Sequence, residues 1–123
     1  SRVIMLLLPD TPDTRRFVGK EELDAMQGAF LLNAGRGSSI DTEALVGALR
    51  AGTVRGAGLD VTDPEPLPKG HPLWSMPNVV ITPHYGGVHP GYEEEAFDVF
   101  LANLVRWVRG EPLENVVDKG AGY

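Results

Sequence analysis

Residues 29–61 read AFLLNAGRGSSIDTEALVGALRAGTVRGAGLDV, and this stretch decides the fold. It opens on a short apolar run, 29–32, of strand length, and passes into 33–39 (NAGRGSS), a loop too rich in glycine for regular structure. Asp41 is then placed to cap a helix, because Ile40 before it and Leu45 after it have the spacing of a hydrophobic staple. Ala44, Leu45, Ala48 and Leu49 form one apolar stripe, and Gly52 ends it. A second strand follows over 54–61, with glycines where another group packs closely. Strand, helix, strand at this spacing is a crossover, and a crossover joins parallel strands.

The same alternation continues outward. Upstream, residues 3–8 (VIMLLL) are a continuous apolar run closed by Pro9, which predicts a strand buried on both faces. Residues 10–14 (DTPDT) are turn chemistry, and 20–27 predict a short helix with Leu23 and Met26 on one side and Gly28 as the stop. Downstream, the proline-rich 62–68 (TDPEPLP) is loop, and 79–82 (VVIT) is a fourth strand closed by Pro83 and His84. Over 91–109, Phe97, Phe100, Leu101, Leu104, Val105 and Val108 mark one face of a long helix. Glu93 to Glu95 at its start and Arg106 and Arg109 at its end suit the helix dipole. The fold class is α/β with a mainly parallel sheet.

Composition narrows the partners. The 123 residues fit one domain and contain no cysteine, which removes disulfides, thiolate metal sites and a cysteine nucleophile. With 11 basic and 17 acidic residues the net charge is -6, so nucleic acid is not an expected partner. The longest apolar run is far below the ~20 residues that span a bilayer, so no membrane association is expected and the cytoplasm is the expected location. The run of residues begins at Ser1 and enters a strand almost at once, which reads as the later part of something longer.

Ligands of open parallel sheets bind beyond the carboxyl ends of the strands. The unusual residues of this chain follow those ends: Pro9; Asn33, Gly35, Arg36 and Gly37; Asp60 and Glu65; and His84, Gly86 and Gly87. Arg36 is a permanent cation whose planar fork matches a carboxylate. His84 can give or take one proton, and a carboxylate such as Glu65 at its other ring nitrogen would fix the tautomer and favour the proton-donating form. The set suits a 2-oxo acid becoming a 2-hydroxy acid, and since no side chain donates hydride, a nicotinamide cofactor is implied. A metal site is not expected: His84, His89 and the glutamates 93–95 match no zinc spacing. A serine hydrolase lacks its G-x-S-x-G elbow.

At these residues the chain resembles the D-isomer-specific 2-hydroxyacid dehydrogenases. The stretches that carry the likeness are LLLPDTPDTR, then LLNAGRGSSIDTEALVGALRAGTVRGAGLDVTDPEPLP, then HPLWSMPNVVITPHYGG, and the last helix with RGEPLENVV. They run in the family's order along nearly the whole sequence, and HPLW with NVVITPH leans toward the glyoxylate and hydroxypyruvate reductases. The resemblance implies Arg36, Glu65 and His84 as the catalytic set. It implies cofactor contacts at Leu8 and Pro9 by the adenosine, at Ala34, Gly35 and Arg36, at Asp60 by the nicotinamide amide, and at His84, Gly86 and Gly87. It also implies NAD or NADP as cofactor, a small 2-oxo or 2-hydroxy acid as substrate, and a homodimer. Its corepressor members make a nucleotide-sensing regulatory module the alternative function.

The family's G-x-G-x-x-G turn, which seats a pyrophosphate on a helix N-terminus, does not occur in these residues. GRGSS does not replace it, because it follows the wrong strand. The expected architecture is therefore the second half of a Rossmann-type doubly wound sheet plus a long C-terminal helix, residues 1–123 being the C-terminal portion of an NAD(P)-binding domain. Alone, that portion is expected to be inactive.

Overall fold

The computed structural model describes residues 1–122, which divide into two compact units, Ser1–Gly86 and a second that begins at Gly87. The first unit is a four-stranded sheet: β1 (Val3–Leu6), β2 (Ala29–Asn33), β3 (Val54–Leu59) and β4 (Val79–Ile81), in the order β1-β2-β3-β4. Every neighbouring pair is parallel, as the crossovers require. Register sets Ile4 beside Leu31, Leu31 beside Ala57, and Ala57 beside Val79, so these side chains share one face. That face is the core. It packs with Leu23 and Met26 from α1 (Lys20–Asp24) and the turn behind it, and with Leu45, Val46, Ala48 and Leu49 from α2 (Thr42–Ala51). Leu23, Leu31, Leu45 and Leu73 are almost completely buried, and each such leucine contributes about 1.5–3 kcal/mol relative to exposure.

The opposite face is open, which corrects the expectation for the first strand. Val3 and Met5 on β1, Phe30 on β2 and Val80 on β4 all remain exposed, and β1 ends at Leu6, leaving Leu7 exposed as well. β1 also lies at an edge of the sheet, paired on one side only. Arg55 lies over the Phe30 ring, 5.4 Å from its centroid, and its cation shields part of that apolar face.

Local chemistry explains the helices. The Asp41 carboxylate accepts from the Ala44 amide at 3.0 Å, and Gly52 closes α2 in the left-handed conformation, both as the sequence predicts. The helix predicted over 20–27 stops at Asp24. Residues 25–28 turn instead, because the Gly28 amide is drawn to the Thr53 carbonyl at 2.7 Å, where β2 joins β3. β3 and β4 end one or two residues before their predicted limits. Pro83 offers no amide to continue β4, and Asp60 turns its carboxylate to the segment that follows β4.

In the second unit, α3 (Tyr92–Arg109) begins after Gly91 and ends at Gly110, whose left-handed backbone lets its amide reach the carbonyls of Arg106 and Trp107. The chain beyond turns back on the helix. Asn103 exchanges hydrogen bonds with the backbone of Glu114 at 2.9 and 3.2 Å, and Arg106 pairs with the Glu114 carboxylate. None of the α3 side chains is buried.

Candidate active site at the carboxyl ends of the strands

Parallel strands deliver their following loops to one rim, and the loop after β2 is the most tightly built of them. Asn33, at the end of β2, is 1% exposed and ties the loop together. Its amide nitrogen donates to the Arg36 carbonyl at 2.9 Å, and its oxygen accepts from the Gly35 amide at 3.1 Å. The Ser39 hydroxyl adds a second bond to the Arg36 carbonyl at 2.7 Å. Two glycines let this loop sit where it does. A Cβ on Gly35 would lie 2.7 Å from the backbone of Leu8, and one on Gly37 would lie 2.0 Å from the Thr62 carbonyl oxygen. The β2 loop is thereby clamped between the chain leaving β1 and the chain leaving β3.

Arg36 emerges from this clamp exposed. Its guanidinium donates to the Gly35 carbonyl at 2.9 Å, and no carboxylate among the described residues pairs with it. It is a fixed cation with donors to spare.

Glu65 and His84 meet directly. The Glu65 carboxylate lies 2.7 Å from His84 Nδ1, while its other oxygen accepts from the Thr62 amide at 3.2 Å. The His84 hydrogen bond chiefly holds the Glu65 carboxyl below its ordinary 4.5, and burial opposes it. The Thr62 amide and the charges of His84 and Arg36 act in the same direction. Arg36 therefore lies within electrostatic reach of the couple without closing an ion pair. The arrangement leaves His84 Nε2 for chemistry.

His84 has a backbone φ of 59°, in the left-handed region. For a non-glycine residue that costs about 1–3 kcal/mol and persists only where the surroundings over-determine it. The surroundings here are Asp60. Its carboxylate accepts from the Thr82 hydroxyl at 2.5 Å and the Tyr85 amide at 2.8 Å on one oxygen, and from the Gly86 amide at 2.6 Å on the other. The Thr82 hydroxyl chiefly keeps the Asp60 carboxyl below its ordinary 3.8; desolvation opposes it, and the Tyr85 and Gly86 amides and the His84 charge add to the lowering.

The remaining predicted residues are distributed along the same rim. Leu8 is half-buried against Gly35, and Pro9 is exposed with its carbonyl accepting from the Thr14 hydroxyl at 2.6 Å. Ala34 is half-buried and its amide donates to the Leu6 carbonyl at 3.1 Å. Gly86 packs so closely on Asp60 that a Cβ would lie 2.8 Å from the carboxylate. Gly87 opens the second unit and is described with it. Sequence reasoning placed Asn33 on this rim without giving it a task, and did not single out Thr62 or Thr82. For Asn33 the available signal was a polar residue closing an otherwise buried strand; Thr82 carried none.

Two clefts flank Asp60 and Thr82. One, of about 490 Å³, runs past Glu65 and His84 over Leu67, Trp74, Ile81 and Pro83. The other, about 170 Å³, lies over the ends of β2, β3 and β4 at Asn33, Ala34, Leu59 and Thr82. The second suits the flat amide end of a nicotinamide. Asp60 Oδ2 holds a single hydrogen bond, from Gly86, and keeps acceptor capacity for an amide N–H. No group of three or more His, Cys, Asp or Glu side chains among the described residues is arranged to hold a metal ion.

Comparison with known proteins finds relatives along the whole chain. Residues 1–86 match the family model described as D-isomer specific 2-hydroxyacid dehydrogenase, NAD binding domain. The chain is 39% identical over its full length to glyoxylate/hydroxypyruvate reductase A of Salmonella newport, of which it covers 39%. Among solved structures it resembles the D-isomer specific 2-hydroxyacid dehydrogenase of Xanthobacter autotrophicus Py2 in complex with NADPH and MES. There the TM-score is 0.91 with 40% identity, covering 100% of this chain and 50% of that one. It likewise resembles the NADPH-dependent glyoxylate/hydroxypyruvate reductase of Sinorhizobium meliloti, at TM-score 0.91 and 35% identity over 40% of that chain. The chain thus spans about two-fifths of the length of the curated relatives it matches.

Proposed function

The chain belongs to the D-isomer specific 2-hydroxyacid dehydrogenase family, and on that premise we propose that, within a reductase of its relatives' length, it supplies the proton donor and the carboxylate clamp. The reaction is reduction of a small 2-oxo acid of the glyoxylate or hydroxypyruvate kind to the 2-hydroxy acid, with NAD or NADP as coenzyme. The observation that carries this reading is the 2.7 Å contact between Glu65 and His84 Nδ1, with Arg36 uncommitted beside it.

When bound, the coenzyme supplies the hydride, which no side chain can. Ala34, Gly35 and Asp60 would hold its nicotinamide end, Leu8 and Pro9 would meet the adenosine, and Gly86 would complete the contacts. Arg36 binds the substrate carboxylate through two parallel hydrogen bonds and orients the carbonyl. As the carbonyl oxygen gains negative charge, His84 gives it the Nε2 proton. Glu65 keeps the other proton on Nδ1 and stabilises the imidazolium before transfer. The product is the 2-hydroxy acid, and His84 is left neutral until solvent reprotonates it.

The reading extends to a homodimer formed through this domain and to a cytoplasmic location, supported by the family likeness. No helix among the described residues is long and apolar enough to cross a membrane. A nucleotide-sensing regulatory module is the other reading of the fold, but it leaves the Glu65 and His84 couple without a task. The test is oxidation of NADH and of NADPH by the full-length protein with a panel of 2-oxo acids. Turnover of glyoxylate or hydroxypyruvate, lost in His84→Asn with coenzyme binding retained, supports the proposal. Coenzyme binding without turnover of any 2-oxo acid refutes it in favour of the regulatory reading.

A further inference from the structure

Thr82 plays no part in the chemistry above, touches neither Glu65 nor His84 by hydrogen bond, and yet lies at the centre of the site. Its hydroxyl donates to Asp60 Oδ1 at 2.5 Å, and the same oxygen accepts from the Tyr85 amide at 2.8 Å. Asp60 Oδ2 takes the Gly86 amide at 2.6 Å. One carboxylate on the end of β3 therefore grips the chain on both sides of His84, at residue 82 before it and at 85 and 86 after it. Between those grips His84 holds a φ of 59°, a conformation the histidine backbone does not choose unaided.

We propose that Thr82 is a positioning residue for His84, acting through Asp60: the clamp holds the His84 backbone in the left-handed conformation that lets Nδ1 meet Glu65. The geometry supports each part. With its three protein donors, Asp60 spans the turn, so removing the Thr82 hydroxyl frees one end and leaves the carboxylate held only from the far side. The residue next to Thr82 is Pro83, which has no amide to take over the bond. The imidazole would then lose its register with Glu65 Oε1, and the neutral ring would no longer be confined to the tautomer that carries its proton on Nδ1. The Thr82 methyl is not needed for this, but the hydroxyl is.

This inference rests on the proposed reductase reading only for its kinetic consequence, and the experiment separates the two. Thr82→Val removes the hydroxyl and keeps the shape; Thr82→Ser keeps the hydroxyl. In the full-length protein, Thr82→Val is expected to lower kcat about ten- to a hundredfold, as a displaced proton donor does. KM for the oxo acid should stay within about twofold, and a solvent deuterium isotope effect on kcat should rise, because proton transfer becomes the slow step. Thr82→Ser should restore kcat and the isotope effect. Independently of activity, long-range proton–nitrogen correlation spectra of His84 should show the Nδ1–H tautomer in the wild type and in Thr82→Ser, and a mixture of both tautomers in Thr82→Val. A Thr82→Val protein with wild-type tautomer and wild-type kcat overturns the proposal. Equal losses in Val and Ser variants, with KM raised in both, also overturn it, because the residue would then serve general stability. If the wild type reduces no oxo acid, the reductase reading fails while the tautomer spectra still decide the role of Thr82.

Discussion

Gly37→Ala tests whether the site depends on two loops touching, because nothing but a missing methyl group lets them touch. An ideal Cβ at Gly37 would lie 2.0 Å from the Thr62 carbonyl oxygen and 2.1 Å from its carbon, whereas ordinary contact begins at 3.4 Å. The loops must separate by at least 1.4 Å, and no rotamer change relieves the clash, since both partners are backbone. Overpacking of this kind costs about 1–3 kcal/mol, and the rigidity of both sides puts the variant at the upper end, about 3 kcal/mol. For a domain of this size that lowers Tm by more than about 10 °C. A functional cost accompanies the structural one. Gly37 follows Arg36, and the Thr62 amide holds Glu65, so the separation moves the cation away from the acid–base couple. A displacement of about 1 Å between catalytic groups costs on the order of a hundredfold in rate. Urea unfolding and steady-state kinetics on the same preparation, assayed well below the lowered Tm, measure both. A Gly37→Ala protein with wild-type Tm and wild-type kcat/KM would refute the reasoning.

The other predictions concern single groups. Arg36→Lys keeps the charge but loses the planar fork, so kcat/KM for the oxo acid should fall about tenfold or more, read from initial rates, with Tm unchanged. Asp60 and Glu65 both titrate lower in the folded chain than in the unfolded one. Their stabilisation is therefore full above the unfolded values, near 3.8 and 4.5, and is lost as pH falls through the lower folded values. Thermal unfolding followed from pH 6 downward should show a loss of Tm on the acid side of about pH 4.5 that is shallower in Glu65→Gln; parallel curves would contradict it. Asp41→Ala removes the cap that accepts the Ala44 amide, and should cost about 1 kcal/mol in urea unfolding without changing KM.

What was legible in the sequence was local. The cap at Asp41, the stop at Gly52 and the stripe between them are settled by neighbours within a turn, and α2 forms where they predict. The rim residues were legible too, because a parallel sheet sends every strand-following loop to one side, which needs no knowledge of strand order. Strand order itself was hidden. A run such as VIMLLL reads the same in the middle of a sheet and at its edge, and the same whether one of its faces is covered or both; Val3, Met5 and Leu7 are exposed. Contacts between distant residues were equally silent. Thr82 and Asp60 lie 22 positions apart, and nothing in either residue's surroundings announces that they bond. Leu67 comes from the proline-rich stretch 62–68, which reads as loop, and Leu73 follows it outside every predicted element, yet both are buried.

The all-parallel order of the sheet has a kinetic meaning. No two adjacent strands can be joined by a tight hairpin, so each pairing must wait for a long crossover segment to close, and its entropy is lost before any ladder forms. Glu65 and His84 leave different strands, β3 and β4, and β4 itself pairs only with β3 among the described residues. The couple is therefore assembled by the last and shortest pairing in the sheet, a ladder of three residues at its margin. Such a margin opens more readily than the centre, where Leu31 and Val54 are sealed. His84 is seated beside a margin of the sheet rather than its centre, and loss of its contact with Glu65 on warming should run ahead of the collapse of the core.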